Sequence, residues 1–132
     1  MDYFHLSAGE DLIDGLSCLG LAHLGDGVYE LMVRSWLCLH GKATNKGLHK
    51  AAVTYVSAPA QAARTRRILP MLTEEEQEVF RRGRNSRTAS VPRGATVGEY
   101  HMATAQEALF GYLWLRGRTE RLNQLFEIMM ED

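Results

Sequence analysis

An all-α fold is the class that the 132-residue sequence predicts, and three observations predict it. Apolar residues recur at spacings of three and four in one segment after another. Helix-starting Ser and Thr and helix-stopping Gly stand at the ends of those segments. No stretch alternates apolar and polar residues as a half-buried strand would. Apolar residues make up 45% and charged ones 23%, enough for a core and too apolar for a disordered chain. One domain spanning residues 1–132 is expected, since the length is ordinary for one and short for two.

About seven helices follow in order. Ser7 and Glu10 have capping-box spacing and open a short helix over 8–15. Ser17 caps a longer one from about 18 to 40, in which Leu21, Leu24, Val28, Leu31, Met32, Trp36 and Leu39 form the apolar stripe and Gly41 is the stop. A third covers 46–56. Ser57, Ala58 and Pro59 start a fourth, because proline is tolerated in a first turn; it runs to Leu69 and stops at Pro70. Thr73 and Glu76 box the fifth, which extends through Arg82. Residues 83–95 are rich in Gly, Ser, Pro and Arg and read as the one long loop. Thr96 and Glu99 box a helix over 97–116 that ends at Gly117. Thr119 caps the last, striped by Leu122, Leu125, Phe126 and Met129.

Composition excludes several classes. No apolar run reaches the roughly 18 residues of a membrane helix. The N-terminus lacks the basic and apolar pattern of a secretory signal, so a cytoplasmic location is expected. Cys18 and Cys38 are two cysteines without a CxxC partner set, and read as core residues rather than a disulfide or zinc framework. The net charge of −1 conceals segregation. Residues 1–33 carry six acids and no Lys or Arg; residues 34–93 carry twelve Lys or Arg against four Glu; residues 94–132 carry six acids against three Arg. A basic middle between acidic ends suits either a polyanion partner with a carboxylate site, or solvated helix faces.

Asp26 and Glu107 interrupt strongly apolar helices, where an unpaired carboxylate is costly. Glu30 lies four residues after Asp26 and Thr104 three before Glu107, each on its neighbour's face of the helix. Were the two helices to pack through these faces, an oxygen-rich cluster would result, of the kind Mg²⁺ prefers. Solvent-facing acids are the alternative. His23, three before Asp26, reads as a packing residue.

The motifs resemble those of the ribonuclease III family. LAHLGDGVYE followed by MVR is similar to its signature helix, and TAQEALFGYLWL to its second acidic motif. VSAPAQA and FRRGRNS look like the Mini-ribonuclease III branch, which consists of the catalytic domain without a double-stranded-RNA-binding domain. The resemblance covers about residues 16–128, with four blocks in the right order. It implies that Asp26 and Glu107 are the metal-binding catalytic acids and that Glu30 and Thr104 hold the metal's waters. Ala22 and Thr104 replace acids of the larger enzymes, as in the Mini branch, so a sparser carboxylate set is implied. The family fold is a two-fold homodimer with the signature helices along the interface. The activity implied is Mg²⁺-dependent hydrolysis of double-stranded RNA to 5′-phosphate and 3′-hydroxyl ends, with Mn²⁺ able to substitute. Precursor large-subunit (23S) ribosomal RNA is the implied substrate and a ribosomal protein a candidate helper. Arg81, Arg82, Arg84, Arg87 and Arg93 are expected on phosphates, with His49, Lys50, Ser57 and Gln61 also facing RNA. A catalytically silent RNA-binding module of the same fold is the other reading.

Overall fold

The structure, a computed structural model, describes residues 1–41, 44–86 and 93–131. In order it has α1 (Glu10–Asp14), α2 (Cys18–Leu39), α3 (Asn45–Val56), α4 (Ala58–Thr65), a 3₁₀ turn (Leu69–Met71), α5 (Glu74–Arg84), α6 (Val97–Leu115) and α7 (Thr119–Met130), with no strand among the described residues. The all-α expectation is met.

Local chemistry sets most of the helix ends. The Ser17 hydroxyl accepts from Gly20 N, and the Thr44 hydroxyl from Gly47 N. Both predicted capping boxes form: Thr73 with Glu76 and Thr96 with Glu99 each exchange two hydrogen bonds. Gly41 and Gly117 leave their helices at φ +94° and +72°, the left-handed stop that glycine permits.

Two ends differ from expectation for tertiary reasons. The Ser7–Glu10 box does not form, and α1 starts instead after Gly9. Residues 6–8 are drawn onto the end of α6, where Ala8 N donates to the Leu115 carbonyl at 2.7 Å and Gly117 presses on the Leu6 carbonyl. Helix α4 ends at Thr65, four residues early, and Pro70 lies in the 3₁₀ turn. The Thr65 hydroxyl donates to the Gln61 carbonyl at 2.7 Å, a back-bond that loosens a helix end, and the turn then sends Ile68 into the core.

Helix α6 is the axle. It packs against α2 most extensively, then α5 and α4. From Ala103 to Leu113 every residue is buried except Glu107. Tyr29 of α2 meets Phe110 and Phe126 edge-on, with centroids 5.8 and 6.2 Å apart, a geometry that adds about 0.5–1.5 kcal/mol per pair beyond burial. Along α2 the buried line runs through Leu21, Gly25, Val28, Tyr29, Val33 and Leu37. Leu31 and Leu39 of the expected stripe are exposed, as is Cys38, and Cys18 is half-buried, so the cysteines are not core residues in the single chain.

Candidate active site

The two candidate acids stand on the two helices that cross most closely, α2 and α6. A Cβ on Gly25 would lie 2.8 Å from Gly111 N and 2.5 Å from the Glu107 carbonyl carbon. One on Gly111 would lie 3.1 Å from Gly25 N and 3.0 Å from the Leu21 carbonyl carbon. Backbone therefore meets backbone, which only glycine allows. Asp26 follows Gly25 directly, and Glu107 supplies the backbone that Gly25 touches, so both acids leave the same crossing. Asp26 is exposed and Glu107 partly so.

Beside Glu107 a groove of about 430 Å³ is lined by Ser57, Gln61, Arg93, Tyr100 and Thr104 among others. Thr104 is 1% exposed, and its hydroxyl donates to the Tyr100 carbonyl at 3.0 Å, so the lone pairs of its oxygen stay available. Glu30, one turn beyond Asp26, accepts from Arg34 at 2.8 Å and lines a separate groove of about 270 Å³ with His49. Val56 borders both grooves. No cluster of three Cys, His, Asp or Glu side chains able to hold a metal exists among the described residues. The donors at the crossing are thus two carboxylates with hydroxyls nearby. That all-oxygen set fits a hard divalent cation retaining several waters.

Tyr29 braces this arrangement. It is 1% exposed, and its hydroxyl donates to the Tyr55 carbonyl at 3.0 Å. Burial pushes its pKa up to about 12, with the Glu107 carboxylate adding to the shift and Arg64 opposing it. The phenol therefore stays a neutral donor. It ties the turn after Asp26 to the end of α3, just ahead of Ser57.

The expected RNA contacts divide into groups. Arg82 and Arg84 flank Gly83, whose close approach to Ala105 and Ala108 sets the end of α5 at the level of Glu107. Both are exposed, with no ion pair among the described residues. Arg81 is exposed and paired with Glu78 at 2.7 Å. Arg93 lines the Glu107 groove, as does Ser57. Arg87 lies outside the described residues. His49 and Lys50 are exposed but line different grooves, His49 that of Glu30 and Lys50 one with Trp36 and Tyr55. Gln61 lines the Glu107 groove but is only 2% exposed, and its Nε2 donates inward to Gln106 Oε1 and the Ala103 carbonyl, so that nitrogen is not available to a phosphate. His23 is exposed rather than packed in the single chain.

Several arginines of the basic middle prove structural. Arg64 and Arg67 donate to the Met129 carbonyl at 2.8 and 3.0 Å, closing the end of α7, and Arg64 also stands over the Tyr55 ring at 4.3 Å. Two interactions near the site have no signal in the sequence: the Tyr29–Tyr55 bond and the Gln61–Gln106 pair. The glycines do have one, because Gly25 and Gly111 inside apolar helices each cost about 1 kcal/mol relative to Ala unless something must come close.

The model of the Ribonuclease III domain matches residues 19–118. The Mini-ribonuclease 3 of Symbiobacterium thermophilum is 46% identical over 109 residues, 83% of this chain and 84% of the relative. That of a Thermoanaerobacter species is 43% identical over 116 residues, 88% and 82% respectively. An X-ray crystal structure of a protein from Fusobacterium nucleatum superimposes with a TM-score of 0.81 at 32% identity, covering 89% of this chain and 94% of that one.

Proposed function

Because the chain belongs to the ribonuclease III family and is an endoribonuclease, we propose that it cuts double-stranded RNA as a homodimer, using Mg²⁺ held by Asp26 and Glu107. One observation carries the assignment. Within the buried run 103–113 of α6 only Glu107 is partly exposed, and its backbone meets Gly25, the residue before Asp26. A partly exposed carboxylate at that position is able to bind a hydrated divalent cation.

Asp26 and Glu107 would hold the cation directly, with Thr104 and Glu30 orienting its waters. When bound, such a cation neutralises charge building on the scissile phosphate and makes a coordinated water more acidic. The chain's own residues do the rest. Arg93 in the groove and Arg82 and Arg84 beside it offer guanidinium groups to the phosphates of the strand. Tyr29 and the paired glycines fix the spacing of the two acids. The products are 5′-phosphate and 3′-hydroxyl ends. Mn²⁺, with the same preference for oxygen, is expected to substitute.

The dimer is supported by what α1, α2 and the turn between them leave uncovered. Leu12, Leu16, Leu19 and Leu31 are 60, 38, 41 and 49% exposed, an apolar set that a two-fold partner would cover. Residues 1–132 act as a single catalytic domain in this reading, on precursor 23S ribosomal RNA, with a ribosomal protein as a candidate helper and the cytoplasm as the place. No helix is long and apolar enough to cross a membrane among the described residues. The test is incubation with duplex RNA, single-stranded RNA and duplex DNA, with Mg²⁺ or EDTA. Discrete cleavage of the RNA duplex alone, absent with EDTA and giving 5′-phosphate ends, is expected; equal cutting of DNA or undiminished cutting in EDTA would refute it.

A further inference from the structure

Behind the Glu107 groove lie two buried primary amides. Gln61 of α4 is 2% exposed and Gln106 of α6 is fully buried. Apolar side chains would fill this space without the desolvation that a pair of amides costs. Gln61 Nε2 donates to Gln106 Oε1 and, at 3.3 Å, to the Ala103 carbonyl. A backbone carbonyl can only accept, so Ala103 fixes which way round the Gln61 amide lies, with nitrogen inward. Its Oε1 then points the other way, and no donor reaches it among the described residues. Yet that oxygen is not sealed in: the one sealed side-chain nitrogen or oxygen lacking a partner among the described residues is Gln106 Nε2. Gln61 also lines the groove. An acceptor locked from behind therefore faces the groove.

We propose that Gln61 Oε1 accepts a hydrogen bond from a ribose 2′-hydroxyl of the strand being cut, and so selects RNA over DNA at the site. The inference rests on the reading of the groove as the place where duplex RNA is cut. A phosphodiester has no donor, so an acceptor in a phosphate-binding groove has no use for it. The donors that phosphate needs are already there, on Arg93 and Ser57. The 2′-hydroxyl is the donor that a ribose–phosphate backbone offers, and it is what distinguishes RNA from DNA. Gln106 is then a positioning residue, holding the Gln61 amide in one orientation.

The experiment measures cleavage rates on duplex RNA carrying single 2′-deoxy or 2′-fluoro nucleotides near the cut, for the wild type and Gln61→Met. At one position the wild type is expected to slow about tenfold with either substitution, since fluorine cannot donate. Gln61→Met is expected to lose about tenfold on the all-ribose duplex and nothing further at that position. Gln106→Met, which frees the amide to turn, should shrink the penalty at the same position and serves if Gln61→Met does not fold. Absence of any position-specific loss in the wild type, or an unchanged penalty in both variants, overturns the inference. So does a raised Mg²⁺ requirement with an unchanged 2′-deoxy penalty, which would put Oε1 against the hydrated cation. Failure of the wild type to cut any all-ribose duplex overturns the underlying reading along with it, whereas cutting without a position effect overturns this inference alone.

Discussion

At the scale of single residues, few side chains carry the proposed chemistry. Arg82 and Arg84 are exposed beside the candidate site and have no ion pair among the described residues. Replacing either with Ala should weaken duplex RNA binding at every sequence alike and lower the slope of log affinity against log salt by about one. Titrating binding from low to moderate salt checks this; an unaltered slope would remove that arginine from the RNA contact. Asp26 and Glu107 stand out in the amino-acid sequence as acids inside apolar helices, but spacing alone leaves solvent-facing acids open, and it is the family resemblance that gives them a role. Gln61 is legible as a residue near the site but not as a buried acceptor. Its environment comes from Ala103 and Gln106, which sit more than forty positions away on another helix.

At the scale of elements the decisive contact is α2 on α6. Gly25→Ala places a methyl against the Glu107 backbone, which is no flexible side-chain end. The helices must separate, at a cost of about 3 kcal/mol or more, and Asp26 and Glu107 must separate with them. Lower thermal stability together with cleavage reduced at least tenfold is expected; Gly27→Ala, at a glycine with open space around it, should leave the fold intact. Helix boundaries are legible where the cap is local, as at Ser17, Thr73 and Thr96. They are not where tertiary contacts override the cap. Ser7 loses its cap to the α6 terminus, and α4 gives up its last turn so that Ile68 can reach the core. No spacing rule in the sequence encodes either competition.

A second device joins elements and adds pH dependence. Glu76 is 3% exposed and accepts from Arg121 Nε at 2.8 Å while capping its own helix. Burial raises the pKa of its carboxyl, but the Arg121 hydrogen bonds and the Thr73 N–H outweigh that and hold it below its ordinary 4.5. A group lowered on folding stabilises above its unfolded pKa, and the contribution is lost as pH falls through the folded value. Arg121→Ala strands a buried carboxylate and should cost about 3 kcal/mol at neutral pH. The gap between wild type and variant should narrow as urea midpoints are followed from about pH 6 to pH 3. A gap constant with pH would mean that Arg121 contributes only packing.

At the scale of the whole molecule, charge segregation has two outcomes that the sequence cannot separate. Arg64, Arg67, Arg118 and Arg121 are spent on closing α7 and binding Glu75 and Glu76. Arg82, Arg84 and Arg93 remain for a polyanion. The exposed leucines of α1 and α2 lie on the acidic segment, apart from those arginines in the chain. A dimer through them would leave the basic surface for RNA. Leu31→Glu is therefore expected to shift the sedimentation coefficient from dimer toward monomer, and an unchanged value would move the interface elsewhere.

All of the proposed chemistry turns on Asp26 and Glu107 meeting across the glycine crossing and holding the cation that cleavage needs. Its sharpest test is single-turnover cleavage of a duplex RNA by wild type, Asp26→Asn and Glu107→Gln, with binding measured in parallel. Each variant is expected to bind the duplex within a few-fold of wild type and to cut it about a thousandfold more slowly or not at all. Cleavage by either variant within tenfold of wild type would contradict that role.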